Sequence, residues 1–326
     1  MVQYIFRNSQ AGFSIAKVFN TFLPLIHNRS VLELPYAGAD PVSVFKNLLF
    51  LKRNKTKDAI YHLTGNVEYC ALVLPSDKTI LTIHDLVLIN HNKYGKIKKL
   101  MFYYFWHYWP IKRARLVACI SSNTKAELLQ FFPWAENKVV VIPNPVDSEI
   151  KPSEKLFNAE NPVILHIGTR ENKNLERVAE ALQGLRCKLR IVGDLTDQHK
   201  QILGQFGICY DAVCNLSDEE IRKEYEICDI VSFPSTYEGF GMPIIEGYAA
   251  GKIVVTSNIS PMNEIAEDGS ILVDPFDVSS IRCGFLTAIQ DAQGRTDRIE
   301  RGLEIVRKYS AENVAHQYKE IYASIL

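Results

Sequence analysis

Short runs of β-branched and aliphatic residues alternate with longer stretches of helical periodicity along this chain, and no other feature restricts its fold as much. A run of about five apolar residues suits a strand buried on both faces, and a helix between successive runs returns the chain so that the strands lie parallel. Two such series are legible. The first comprises residues 2–6, 59–63, 79–83, 116–120 and 139–142; the second comprises 163–167, 189–192, 230–233, 253–256 and 271–273. Between them, PNPVDSEIKP at residues 143–152 disfavours both helix and strand and reads as a linker. The expectation is an α/β chain of two doubly wound parallel-sheet domains, 1–150 and 151–310. Residues 311–326 follow as a closing helix packed back toward the first domain, with Val314, Tyr318, Ile321 and Tyr322 near helical spacing.

With 47% hydrophobic residues in 326, the chain can bury two cores, which excludes a disordered protein. Lys+Arg and Asp+Glu both number 37, so no global charge favours nucleic acid as the partner. The charge is unevenly placed, however: no acid occurs between Asp85 and Glu127, while Lys93, Lys96, Lys98, Lys99, Lys112, Arg113, Arg115 and Lys125 lie inside that gap. Seven cysteines, an odd number without Cys-x-x-Cys spacing, suit buried free thiols in a reducing cytoplasm and no zinc site. The N-terminus lacks the charged start and long apolar stretch of a secretory signal. Residues 101–111, the longest aromatic-apolar run, are too few to span a bilayer.

The most informative segment is PSTYEGFGMPIIEGYAAG at residues 234–251. It leaves a strand, turns through Gly239 and Gly241, and enters a helix with Pro243 in its first turn and Gly251 as its C-terminal cap. Such a turn offers backbone amides and the positive end of a helix dipole at the carboxyl edge of a parallel sheet, where anions bind. Glu238 and Glu246 flank it and can accept hydrogen bonds from sugar hydroxyls. Upstream, HIGTRENKN at residues 166–174 gives a glycine turn at Gly168 followed by Arg170 and Lys173, two cations suited to a diphosphate whose charge grows as its bond to a sugar breaks.

These two segments resemble the retaining glycosyltransferases of family 4, which have the GT-B fold of two Rossmann-like domains facing a central cleft and a Glu-x7-Glu pair matched by Glu238 and Glu246. The resemblance implies a hexosyltransferase. Glu238 and the backbone of Gly239, Phe240, Gly241, Met242 and Pro243 are expected at the transferred sugar and diphosphate, Glu246 at the nucleotide ribose, and Arg170 and Lys173 on the diphosphate. In many members the arginine directly follows the glycine, whereas here Thr169 intervenes. Residues 190–194 and 215–221 resemble the segments lining the nucleobase pocket, although a strand end and an ordinary helix cap explain them equally well. In the first half, Gly12 corresponds to a glycine loop of the family, and His84, at the end of a strand, to a histidine against the donor sugar. Asp85 then braces the loop, and His62 begins a similar strand exit. The implied reaction retains anomeric configuration and uses no cofactor and no metal; no Asp-x-Asp is present.

Residues 93–115 mix cations with Phe102, Tyr103, Phe105, Trp106, Tyr108 and Trp109. Rings and cations together suit the headgroup region of an anionic membrane, or alternatively a core helix with a solvated basic end. The reading is a cytoplasmic enzyme, peripheral at the membrane, that moves a hexose from a nucleotide diphosphate sugar to a saccharide or lipid-linked acceptor in surface polysaccharide or glycolipid synthesis. Its competitors are a non-catalytic nucleotide-sugar-binding protein and a Rossmann oxidoreductase. The latter requires a Gly-x-Gly-x-x-Gly after the first strand, which is missing.

Overall fold

The computed structural model describes residues 1–12, 14–90 and 95–325. It forms two compact units, Met1–Pro145 with Ala311–Leu326, and Val146–Ser310. Composition placed the boundary at 150, but residues 146 and 147 are tied into the second unit. The Val146 amide donates to the Tyr309 carbonyl at 2.8 Å, and Arg222 Nε lies 2.9 Å from the Asp147 carboxylate.

The first unit is built on β1 (Val2–Phe6), β2 (Arg29–Glu33), β3 (Ile60–Leu63), β4 (Thr79–Ile83), β5 (Leu116–Cys119) and β6 (Val139–Val141). All pair in parallel in the order β2-β1-β3-β4-β5-β6. In the second unit β7 (Val163–Ile167), β8 (Lys188–Val192), β9 (Tyr210–Val213), β10 (Ile230–Phe233), β11 (Ile253–Ser257) and β12 (Ser270–Val273) form a parallel sheet in the order β12-β11-β10-β7-β8-β9. Each order reverses once, between β1 and β3 in the first sheet and between β7 and β10 in the second. At such a reversal the connections leave toward opposite faces, opening a crevice at the carboxyl ends of the strands where doubly wound sheets bind ligands.

Both sheets have an edge strand that the apolar pattern did not reveal. β2 alternates between exposed and half-buried residues, and β9 carries exposed Asp211 and Ala212. The central strands β1, β3, β4, β10 and β11 are buried at every position, which is why they read as continuous apolar runs.

The helix Ala311–Ala323 closes the core of the first unit. Its Tyr318 ring stacks on Phe22 at 5.1 Å, and the Tyr322 hydroxyl lies 2.7 Å from both the Tyr4 hydroxyl and His62 Nδ1. The other ring nitrogen of His62 bonds Thr82 Oγ1 at 2.7 Å. Burial pushes this imidazole down to about 3, so it stays neutral and joins β3, β4 and the closing helix. His62 thus faces the core and makes no part of a strand-exit site.

Candidate functional site

In the second unit the loops after β7 and β10, the two strands at the reversal point, meet. The chain leaves β7 through Gly168 at φ +95°, where an added Cβ would sit 2.9 Å from Lys173 Cγ. One short turn, Glu171–Lys173, follows, and then Asn174 in the left-handed conformation at φ 66°. The bare glycine lets the Lys173 side chain lie across the turn. Its ammonium reaches Glu238 Oε1 at 2.6 Å and sits 4.7 Å from the centre of the Phe233 ring. Both members of this ion pair are largely shielded from solvent, at 19% and 17% side-chain exposure, so their attraction is screened less than that of a surface pair.

The asparagines on either side hold the pair in register. Asn172 Nδ2 donates to the Tyr237 carbonyl at 2.9 Å and to Glu238 Oε1 at 3.1 Å, while its own carbonyl accepts the Thr236 amide at 2.8 Å. Buried Asn174 Nδ2 donates to the carbonyls of Pro234 at 2.9 Å and Pro275 at 2.7 Å. Asparagine tolerates the left-handed region better than other side chains, which explains its presence at 174. Neither asparagine was singled out in the sequence, although both stand in ENKN beside the lysine.

Beyond Glu238 the backbone passes Gly239 and Phe240 and starts the helix Met242–Ala249 from Gly241 at φ 156°, with no side chain capping it. Phe240 is buried edge-on against Tyr309, with ring centres 5.8 Å apart. Pro243, in the first turn, lacks an N–H that would need a partner. Glu246, one turn further in, is 9% exposed, and its Oε2 accepts the Tyr225 hydroxyl at 2.7 Å. Burial and this carboxylate raise the Tyr225 phenol well above its ordinary range, so it remains a donor. Arg170 is exposed at the mouth of the β7 loop. One lysine–glutamate pair and the amide end of a helix therefore meet at the carboxyl edge of β7 and β10, while Arg170, on the same β7 loop, lines a groove with Thr196 and His199. This combination can hold an anion and orient a polyhydroxylated group beside it.

In the first unit the corresponding reversal brings the loops after β1 and β3 beside that of β4. Gly12 ends the turn Ser9–Ala11 at φ 125°, and a Cβ there would meet the Arg7 guanidinium at 2.8 Å. His84 Nε2 donates to the Thr64 carbonyl at 2.8 Å across Gly65, where a Cβ would lie 2.5 Å from the ring. Burial lowers the His84 pKa, opposed by the Thr64 carbonyl, which fixes the tautomer and leaves Nδ1 as an acceptor. Asp85 Oδ1 accepts the Val87 amide at 3.1 Å and so braces the loop. Nothing in the sequence pointed to Glu68, which lies in the same edge. Its buried carboxyl is pushed up to about 7, chiefly by desolvation, and its Oε2 has no partner among the described residues.

Comparison with known proteins agrees with this architecture. Residues 147–304 match the model of glycosyl transferases group 1, and residues 26–150 that of glycosyltransferase family 4. The chain belongs to the group 1, family 4 glycosyltransferases. Among curated relatives it is similar to O-antigen chain mannosyltransferase B of Escherichia coli, 26% identical over 82% of this chain and 74% of the relative. Serotype-specific mannosyltransferase WbdA of the same species is 23% identical over 84% of this chain, and the match spans only 37% of that longer protein. Among solved structures, Anabaena Alr3699/HepE in complex with UDP-glucose superposes with a TM-score of 0.75 at 17% identity, covering 99% of each chain. The two parallel six-stranded sheets are those of a GT-B glycosyltransferase.

Other segments of this glycosyltransferase divide between site and scaffold. Arg190 forms a two-pronged pair with Glu224 at 2.8 and 2.7 Å, and Ser217 caps its helix in a capping box with Glu220. A cavity of about 540 Å³, lined by Gly193, Asp194, Tyr210 and Cys214 among others, lies at the ends of β8 and β9. All seven cysteines are unpaired; Cys70, Cys119, Cys187 and Cys228 are buried, whereas Cys209, Cys214 and Cys283 are exposed. Among the described residues no group of three His, Cys, Asp or Glu side chains could hold a metal ion. Also among the described residues, no helix is long and apolar enough to cross a membrane.

Proposed function

We propose that this glycosyltransferase moves a hexose from a nucleoside diphosphate sugar to a saccharide or lipid-linked acceptor, on the cytoplasmic side, in surface polysaccharide or glycolipid synthesis. The observation that carries this reading is the Lys173–Glu238 pair at the foot of the helix Met242–Ala249. As the glycosidic bond breaks, negative charge accumulates on the departing diphosphate, and preorganised cations and amides favour that charge most in the transition state. Lys173, Arg170 and the amide end at residues 239–243 take this role. Glu238, anchored by Lys173 and Asn172, orients the sugar, and Glu246, held by Tyr225, accepts from the ribose hydroxyls.

Departure and attack on one face of the sugar give retention of configuration, with Lys173 and Arg170 neutralising the diphosphate in place of a metal ion. His84, whose Nε2 donates to the Thr64 carbonyl, keeps Nδ1 as an acceptor for a sugar hydroxyl. The mannosyltransferase relatives support a mannose-type hexose, and the UDP-glucose held by the Anabaena neighbour supports a nucleoside diphosphate carrier. Incubation with UDP-glucose and with GDP-mannose, in the presence and absence of EDTA, tests the reading. Sugar release or transfer from one donor, insensitive to EDTA and abolished by Glu238→Ala, is the expected result. No turnover of any nucleotide sugar, or undiminished turnover in Glu238→Ala, overturns the assignment.

A further inference from the structure

The part of the first unit around residues 41–57 and 95–115 carries an exposed surface that holds none of the residues assigned to the transfer reaction. In the helix Pro41–Asn54, Val42, Phe45 and Leu49 lie on one stripe and are 61%, 61% and 38% exposed. In the helix Lys96–Met101, Ile97 and Leu100 are 88% and 59% exposed. The two helices share an apolar trough of about 1000 Å³, lined by Pro41 on one side and by Ile97 and Met101 on the other. Large apolar side chains this exposed on adjoining elements mark an interaction surface.

Its charge identifies the partner. Residues 41–57 contain no acid, and neither do residues 86–126; the cations Lys46, Lys52, Arg53, Lys57, Lys96, Lys98 and Lys112 are exposed along these two stretches. Asp40 is the one acid that lines the trough among the described residues, and its carboxylate is engaged as the cap of the helix Pro41–Asn54, accepting the Val42 and Ser43 amides at 3.0 Å. Expected from sequence at 93–115, the aromatic segment divides in two. Phe102 and Trp106 are buried in the core, whereas Tyr104, Phe105 and Trp109 remain 39%, 52% and 43% exposed. Lys93 lies outside the described residues.

We infer that this face docks on an anionic lipid surface, with Val42, Phe45, Ile97 and Leu100 entering the headgroup boundary and the surrounding cations pairing with lipid phosphates. Apolar insertion alone would not discriminate between lipids, and charge alone would not need exposed Phe and Ile; the two together match an interfacial anchor. Docking is independent of sugar transfer, so its failure leaves the proposed reaction standing.

Sedimentation of the full chain with phosphatidylcholine vesicles, and with vesicles containing about 30% phosphatidylglycerol, tests the inference. Binding is expected to the anionic vesicles alone, weakening as salt rises. The pair Phe45→Glu with Ile97→Glu is expected to reduce it at least tenfold, and Lys46→Gln with Lys96→Gln by about fivefold for each charge removed. Thermal midpoints of both variants should stay at the wild-type value because these side chains face solvent, and should either variant fail to fold, the other decides. Absence of sedimentation with anionic vesicles, equal sedimentation with both kinds, or wild-type binding by a folded variant overturns the inference. So does a dimer in size-exclusion chromatography that the Phe45/Ile97 variant dissociates, since the face would then belong to a second copy of the chain.

Discussion

His166, the fourth residue of β7 and two residues ahead of Gly168, is 1% exposed, and its Nε2 has no hydrogen-bond partner among the described residues; Nδ1 meets Ser232 Oγ at 3.3 Å. Burial, followed by the nearby Lys173 and His199 charges, lowers the imidazole pKa from 6.5 to about 3. Below pH 6.5 the unfolded chain therefore takes up a proton that the folded chain refuses until about pH 3. The contribution to stability is complete above pH 6.5 and declines as pH falls through that window. At pH 5 the deficit is 1.5 pH units at about 1.4 kcal/mol each, roughly 2 kcal/mol. His166→Leu keeps an apolar group of similar size and removes the proton. Urea unfolding of both proteins at pH 8 and pH 5 should show the variant gaining about 2 kcal/mol on the wild type between the two conditions. The offset at pH 8 contains the altered packing and the lost Ser232 contact; only its change with pH reports the proton. A difference that stays constant across this range, to within about 0.5 kcal/mol, would refute a buried neutral ring.

Gly168→Ala forces a Cβ into Lys173 at φ +95°, and should cost about 1–3 kcal/mol in thermal unfolding together with a fall in transfer rate from the displaced ammonium. Tyr225→Phe removes the donor held by Glu246 and should cost about 1–3 kcal/mol, with a raised donor KM in steady-state kinetics. Tyr322→Ala opens the core beneath the closing helix and breaks two hydrogen bonds, so chemical unfolding should report a loss of about 3–5 kcal/mol.

What the sequence disclosed depended on burial. Strands covered on both faces, such as β10 and β11, read directly as apolar runs, whereas β2 and β9 at the sheet edges did not, because half of their side chains meet water. The helix Met242–Ala249 was legible from Pro243 and its flanking glycines, since those residues carry backbone information locally. Pairing is different: Lys173 and Glu238 lie 65 positions apart, and only the β7–β10 adjacency brings them to 2.6 Å. The left-handed Asn174, which clasps two loops, could be suspected from its residue type but not from any periodicity. The place of His62 was hidden for a related reason. A histidine near a strand exit suggests a ligand, yet every residue of β3 is buried, and this one turns to Tyr322 of a helix 260 positions away.

Calorimetric titration with a nucleoside, its monophosphate and its diphosphate, on the wild type and on Arg170→Ala with Lys173→Ala, addresses the donor site directly. Each charge-assisted contact is worth about 1.5–3 kcal/mol, so the diphosphate should bind at least tenfold more tightly than the monophosphate, and the double variant should erase that preference while binding the nucleoside unchanged. Equal affinity for mono- and diphosphate in the wild type, or a preference that survives in the variant, would contradict the assignment of the diphosphate to the loops after β7 and β10.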